Sequence, residues 1–94
     1  MIYRIVKMHF TPEKINEFLE IFETSNQLIR NYQGCKSLIL LRDIQNENVF
    51  FTISTWENEL VLENYRGSAL FNETWAKTKI LFSEKAVAWS TQIS

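Results

Sequence analysis

An aromatic pair with polar neighbours is the part of this sequence best suited to chemistry on a planar small molecule. Trp56 ends the apolar run 50–56, and Tyr65 follows it nine residues later. An indole can stack on a planar ring or donate its N–H, and a phenol O–H can donate to a phenolate oxygen. Thr52 and Ser54 share a strand face with Trp56, so their hydroxyls are the polar points expected of an otherwise apolar cavity. The alternative for both aromatics is packing between a sheet and a helix.

Three other residues carry groups that can react or bind. Arg66 can stabilise an anionic intermediate or a substrate carboxylate. It lies about 100° around a helix from Tyr65, so we do not expect both side chains deep in one pocket. His9 is the only histidine and the default base near neutral pH, but its position in a strand favours a structural or exposed role. Cys35 is the only cysteine, which excludes an intrachain disulfide and favours an unreactive, packed thiol.

The composition argues against several classes of function. Ten basic and eleven acidic residues give a net charge of -1, with neither sign gathered into a block. Nucleic acid is therefore not an expected partner, because phosphate binding needs a basic face. No motif for a metal, a nucleotide or a covalent nucleophile is present, so we expect neither a metal nor a cofactor. No apolar run resembles a signal peptide or a membrane span, which predicts a cytoplasmic protein.

Four segments have the pattern of strands, and they cover residues 2–10, 35–43, 49–56 and 84–93. In the first strand Val6, Met8 and Phe10 share one face, which is expected to meet helices. Residues 38–41 are apolar throughout, as in a strand covered on both sides. The sheet is therefore predicted to lie between two layers.

Three helices are expected between these strands, from Pro12 to about residue 32, from Asn58 to Arg66, and from Ser68 to about Phe82. Thr11, Asn58 and Ser68 are the predicted N-caps, and Gly34 is the predicted stop of the first helix. Phe71, Trp75 and Phe82 are predicted to lie on one side of the third helix, and an aromatic stripe of this kind is more typical of a core than of a ligand site.

The order of strand, helix, two strands, broken helix and strand predicts an α+β fold of the ferredoxin-like, split βαβ kind, with one domain over residues 1–94. Its four-stranded antiparallel sheet would take the helices on one face. The other face is apolar too, and the chain offers no cover for it. A hydrophobic fraction of 46% and an aromatic fraction of 14% exceed what so small a core hides. Pairing with the sheet of a second copy is the simplest solution, so we expect a homodimer.

With these elements placed, the chain resembles the antibiotic biosynthesis monooxygenase domain family, whose members are small dimeric α/β barrels. The resemblance covers nearly the whole length. It rests on the element order and on four short segments, the join 8–14, Gly34-Cys35 at the start of the second strand, residues 56–59 after the third, and residues 68–71 after the helix break. The family includes cofactor-free oxygenases of aromatic polyketides and quinols, haem-degrading enzymes, an isomerase of a signalling sugar derivative, and members without known activity.

For an oxygenase, the resemblance implies a pocket that binds a phenol, helps to remove its proton and lets the anion react with dioxygen. Trp56 keeps the tryptophan of the family, and Thr52 partly matches a polar amide of an oxygenase member. The residues expected to be catalytic are Tyr65, Trp56 and Thr52. The residues expected to bind substrate are Ser54, Val6, Met8, Phe71, Trp75 and Arg66.

The chain also departs from the family pattern. Many members have a histidine where this chain has Tyr65, and often another where it has Leu70. In the haem-degrading branch a histidine holds the metal at the position of Trp75, and a polar residue stands at the position of Val6. Haem degradation by that mechanism is therefore not expected.

The sequence thus favours a cofactor-independent monooxygenase that oxidises a hydroxylated aromatic or quinol with dioxygen. Its expected partners are a second copy of the chain and a small aromatic ligand. Two alternatives stay open, a homodimer that binds a small molecule without catalysis and a small-molecule isomerase of the same fold.

Overall fold

The four strands form one antiparallel sheet in the order β2-β3-β1-β4 in the computed structural model, which describes all 94 residues. The strands are β1 (Ile2–Phe10), β2 (Cys35–Arg42), β3 (Val49–Trp56) and β4 (Phe82–Thr91). The helices are α1 (Ile15–Arg30), α2 (Glu59–Arg66) and α3 (Ala69–Lys79). This is the α+β, ferredoxin-like arrangement that the element order predicted.

The core lies between the sheet and the helices, in two clusters. Phe10 is fully buried and stacks on Phe18 of α1, with 4.1 Å between ring centroids. At the other end of the sheet, Trp56 is fully buried in a cluster with Leu38 and with Leu62 of α2. These clusters fix α1 and α2 on the face of β1 that carries Met8 and Phe10, as the strand pattern predicted.

The hairpin between β2 and β3 follows the prediction closely. β3 has the predicted bounds, residues 49–56. β2 ends at Arg42, one residue early, because the Asp43 carboxylate accepts hydrogen bonds from the N–H groups of Gln45 and Asn46 and so begins the turn.

The two short helices begin at their predicted caps. The Asn58 side chain accepts a hydrogen bond from the Val61 N–H, and the Ser68 hydroxyl accepts one from the Phe71 N–H. Each cap satisfies a backbone donor that the first helical turn leaves free, which fixes where α2 and α3 start. The position of the helix break at Gly67 follows from the second cap.

The first helix differs from the prediction at both ends. The Thr11 hydroxyl makes no capping hydrogen bond, and Pro12–Lys14 forms a 3-10 turn before α1 begins at Ile15. α1 ends at Arg30, about two residues early, because the Tyr32 N–H bonds to a carbonyl three residues back and tightens the last turn. Gly34 then reverses the chain with a φ of 88°, a conformation that favours glycine.

The junction of α3 and β4 lies earlier than predicted. α3 ends at Lys79, and Phe82 is the first residue of β4, paired with Phe10, instead of the last residue of the helix. β4 ends at Thr91, whose hydroxyl donates to the Tyr3 carbonyl at 2.8 Å. The β1–β4 ladder ends with the pair Tyr3–Thr91, so residues 92–93 lie beyond the strand predicted to include them.

The sheet face opposite the helices is apolar and only partly covered. The strand register places Ile39, Ile53, Ile5 and Trp89 in one row across all four strands. The expected cover on both faces of β2 is not present within the chain, since Ile39 is 46% exposed. None of the helices is long and apolar enough to cross a membrane.

Candidate functional site

A cavity of about 350 Å³ lies between the sheet and the three helices, and its lining is mostly hydrophobic. This volume is at the small end of the range for small-molecule pockets, roughly 300 to 1,000 Å³. β1, β3 and β4 contribute side chains from one face, because alternate residues of a strand point to the same side. Arg66, the last residue of α2, lines the cavity with a side chain that is 40% exposed, so the cavity meets solvent there and we call this part its mouth.

The structure brings together eight of the nine residues that the sequence nominated. They line this one cavity, and they are Val6, Met8, Thr52, Ser54, Tyr65, Arg66, Phe71 and Trp75. Alternate residues of β1 and of β3 point to the cavity side of the sheet. Residues four apart on α3, Phe71 and Trp75, lie on one face of that helix. The ninth residue, Trp56, is not part of the lining.

Trp56 lies behind Tyr65 and is fully buried. Its Nε1 donates a hydrogen bond to Ser54 Oγ at 2.9 Å, so the indole N–H is satisfied inside the protein. Its ring stacks on Tyr65, with 4.7 Å between centroids and 25° between planes. Trp56 is therefore placed to hold Tyr65 in position, and a direct contact with a ligand in the cavity does not fit this geometry.

Tyr65 projects from α2 into the cavity with its ring held on several sides. The rings of Tyr32 and Phe71 meet it edge-on, with centroids 5.4 and 5.3 Å away. Burial raises the pKa of Tyr65 from 10.0 to about 12, and Cys35 and Tyr32 add to the rise. The phenol is therefore protonated at neutral pH and can donate a hydrogen bond, but it is a poor base.

An aromatic wall continues from Tyr65 along α3. Phe71 and Trp75 stack in parallel, with 5.9 Å between centroids and 10° between planes. Phe82 packs against the far side of Trp75 and is not part of the cavity lining. The stripe that the sequence assigned to the core thus has two roles, since Phe71 and Trp75 line the cavity and Phe82 supports them.

The sequence reasoning did not nominate Arg4, which lines the same cavity. Arg4 lies opposite Ser54 in the β1–β3 ladder and two positions before Val6, so strand alternation alone would have placed it. Its Nη1 donates to Ser90 Oγ of β4 at 2.9 Å. Burial lowers the pKa of Arg4, and the charge of Arg66 lowers it further.

The polar groups of the cavity are hydroxyls and cations. Thr52 and Ser54 contribute hydroxyls from β3, and none of the lining residues is Asp, Glu or His. The cavity therefore holds no group that ordinarily titrates near neutral pH. A ligand proton has no side-chain base to accept it there.

Neither His9 nor Cys35 lines the cavity. His9 is on the opposite face of β1, with its Nε2 3.5 Å from Glu84 Oε1. Burial raises the pKa of the Cys35 thiol, and its Sγ lies 3.5 Å from the Ser37 carbonyl oxygen. A raised pKa keeps the thiol protonated, which agrees with the expected unreactive role.

The family model described as antibiotic biosynthesis monooxygenase matches residues 1–77. The chain belongs to this family. The crystal structure of a conserved protein from Methanosarcina mazei Go1 is similar with a TM-score of 0.93 and 18% identity, over 100% of this chain and 94% of that chain. A structure named antibiotic biosynthesis monooxygenase gives a TM-score of 0.93 and 16% identity, over 100% of this chain and 99% of that chain.

A third similar structure is Rv0793 from Mycobacterium tuberculosis, with a TM-score of 0.91 and 14% identity over 99% of this chain and 94% of that chain. At these identities the likeness shows a shared fold, and the family resemblance stated from the sequence is confirmed. No curated protein matches the chain.

Proposed function

We propose that the protein is a cofactor-independent monooxygenase that oxidises a hydroxylated aromatic or quinol with dioxygen. The observation that carries the proposal is the placement of the protonated Tyr65 phenol in a cavity walled by Phe71 and Trp75. A planar ligand can stack against such a wall and present its hydroxyl to Tyr65. Family membership supports the same reaction class.

The proposed chemistry depends on an anion of the substrate. A phenolate or its carbanion form gives an electron to dioxygen, the two radicals join in a C–O bond, and the resulting peroxide loses water to leave a new carbonyl. Reducing dioxygen to the carbonyl oxygen and water takes two electron pairs, and both come from C–H or O–H bonds of the substrate. The protein then has to bind, orient and stabilise the anion.

Tyr65 is the residue proposed to stabilise that anion. The hydrogen bonds that Tyr65 makes within the protein use its main chain, including the carbonyl that accepts from the Ser68 hydroxyl. The phenol O–H is therefore free to donate to a phenolate oxygen, which lowers the pKa of the bound substrate. Because no carboxylate or histidine lines the cavity, the proton leaves through the open mouth to solvent.

The active form proposed is a homodimer that pairs the uncovered sheet faces. Ile39, Leu41, Val87 and Trp89 are each 45 to 48% exposed on this face. An apolar surface of this kind on a soluble domain marks an interface. A second copy fits it because an apolar row, Ile39, Ile53, Ile5 and Trp89, crosses all four strands of this face, and the family resemblance implies the same pairing.

The test is dioxygen uptake by metal-free protein with a panel of naphthoquinols and anthrone-type phenols, corrected for autoxidation. We expect uptake that saturates with substrate and one new carbonyl oxygen per dioxygen consumed, labelled when the gas is ¹⁸O₂. No enzyme-dependent uptake with any member of the panel would contradict the proposal.

One observation favours a second candidate, a binding protein without catalysis. The cavity has no side-chain base, so it can hold a planar molecule and leave it unchanged. Saturable binding of a panel member without oxygen uptake would support this candidate. The isomerase alternative is disfavoured, because moving a proton between carbons calls for an acid and a base in the cavity.

A further inference from the structure

Arg4 is a cation at the cavity that forms no salt bridge. The chain has salt bridges at His9, Lys14, Lys36 and Arg66, and none at Arg4. Its one side-chain hydrogen bond goes to the neutral hydroxyl of Ser90, from Nη1 at 2.9 Å. A guanidinium has five N–H donors, so most of them remain available to a ligand.

Arg66 adds a second guanidinium to the same cavity lining. The two are close enough for the charge of Arg66 to lower the pKa of Arg4. The Arg66 charge is shared with Glu63, whose Oε1 lies 3.1 Å from Arg66 Nη1. The three side chains together leave one positive charge uncompensated where the cavity meets solvent.

We propose that Arg4, assisted by Arg66, binds the carboxylate of a planar aromatic acid whose ring enters the cavity. The inference rests on the proposed function, and it narrows the substrate class to hydroxylated aromatic carboxylates. The carboxylate stays at the mouth with the arginines, and the ring lies along Phe71 and Trp75.

A carboxylate fits this site better than other anions. One uncompensated positive charge matches a monoanion, whereas a phosphate monoester carries nearly two negative charges at neutral pH. The planar guanidinium also pairs with a carboxylate through two parallel hydrogen bonds, which fixes the direction of the ring. Anchoring one end of the substrate in this way would set the distance of its hydroxyl from Tyr65.

Binding can be measured without turnover, by quenching of tryptophan fluorescence under nitrogen. The probes are 1-hydroxy-2-naphthoate and its neutral carboxamide, which have nearly the same shape. We expect the acid to bind at least about tenfold more tightly than the carboxamide to the wild-type protein. Added salt should weaken binding of the acid and leave the carboxamide unaffected.

The variant that tests the site is Arg4→Gln, with Arg30→Gln as its control. Arg30 is exposed on α1 and does not line the cavity, so its substitution makes the same change in net charge elsewhere. Arg4→Gln should reduce the affinity for the acid about tenfold and change that for the carboxamide by less than about twofold. Arg30→Gln should change neither.

Equal binding of the two probes to wild type, binding of neither, or an equal loss of both in Arg4→Gln would overturn the proposal. Tighter binding of 1-naphthyl phosphate than of the acid would overturn the choice of carboxylate. If Arg4→Gln does not fold, the salt dependence of binding to the wild-type protein tests the proposal instead. Equal effects of salt on the acid and on the carboxamide would then overturn it. An Arg4-dependent preference for the acid without oxygen uptake would instead overturn the oxygenase function and leave the anion site standing.

Discussion

The rings of Trp56 and Tyr65 stack with 4.7 Å between centroids, yet only Tyr65 lines the cavity. Trp56 belongs to the last position of β3, and Tyr65 belongs to α2, so the stack joins the sheet to the helix that carries the phenol. The hydrogen bond from Trp56 to Ser54 fixes the indole in turn. The sheet thus holds the indole of Trp56, and the indole holds the ring of Tyr65, whose O–H is the proposed donor.

The first prediction concerns the Tyr65 hydroxyl. Tyr65→Phe keeps the stacked ring and removes the O–H that we propose stabilises the substrate anion. We expect kcat to fall by about tenfold to a hundredfold, with a smaller change in KM, because the hydrogen bond strengthens as the anion forms. Oxygen uptake with the best substrate of the panel measures both constants.

Tyr32→Phe is the matched control for that change. Tyr32 contacts the Tyr65 ring edge-on but does not line the cavity, so its hydroxyl cannot reach a ligand there. We expect its kcat to stay within about twofold of wild type. An equal loss in both variants would show that Tyr65 acts through packing and not through its hydroxyl.

The second prediction follows from the raised pKa of Tyr65. The fold favours the neutral phenol, so this contribution to stability is complete below pH 10 and is lost as the pH rises toward 12. By about pH 11 the free energy of unfolding should fall by about 1.4 kcal/mol more in wild type than in Tyr65→Phe. Urea unfolding of both proteins at about pH 9 and pH 11 tests this, and parallel losses would contradict it.

The fold was predictable because local patterns and tertiary packing agree. Side-chain caps at Asn58 and Ser68 and the φ of Gly34 are local signals, and they gave the ends of several elements. The misplaced boundaries depend on partners distant in sequence. Phe82 becomes a strand residue because it pairs with Phe10, which no local pattern encodes.

The site residues could be predicted from the sequence where the pattern showed which side chains share one face of a strand. Alternation on β1 and β3 placed Val6 and Thr52 at the cavity, and the same rule reaches Arg4. The position of Trp56 behind Tyr65 was not accessible from sequence. Which of two stacked rings reaches a cavity depends on the packing of α2 against the end of β3.

The third prediction concerns the hydrogen bond from Trp56 to Ser54. Ser54→Ala leaves a buried indole N–H without an acceptor and should cost about 1 to 3 kcal/mol of stability. In a Trp56→Phe background the same change should cost at least about 1 kcal/mol less, because no donor is left unsatisfied. Urea unfolding of the four proteins gives the coupling, and strict additivity would contradict the interaction.

A hydroxyl elsewhere in the sheet provides the control for this cycle. The Ser37 hydroxyl donates to Thr55 Oγ1 at 2.8 Å, and strand alternation places this pair on the sheet face opposite the indole hydrogen bond. Ser37→Ala should combine with Trp56→Phe additively, within about 0.5 kcal/mol.

The fourth prediction tests the proposed homodimer. Trp89→Asp places a charge on the uncovered sheet face, where Trp89 is 46% exposed in the single chain. We expect a monomer at micromolar concentration, since a buried, unpaired carboxylate opposes pairing of two apolar faces. Leu60→Asp changes a residue of α2 that is 69% exposed on the helix side, and it should remain dimeric. Sedimentation equilibrium distinguishes the two, and a monomeric wild type would contradict the pairing.

The fifth prediction compares the two glycines of the chain. A Cβ on Gly34 would lie 2.5 Å from the Val61 side chain, and its φ of 88° disfavours other residues. Gly34→Ala should therefore lower the free energy of unfolding by about 2 kcal/mol or more, through strain and through displacement of α2.

Gly67 provides the control, because it has a φ of -92° and room for a Cβ, with the nearest atom 3.6 Å away. Gly67→Ala should be neutral or stabilising by up to about 1 kcal/mol, because the unfolded chain loses freedom. Similar unfolding midpoints in urea for the two variants would contradict the close approach of Gly34 to α2.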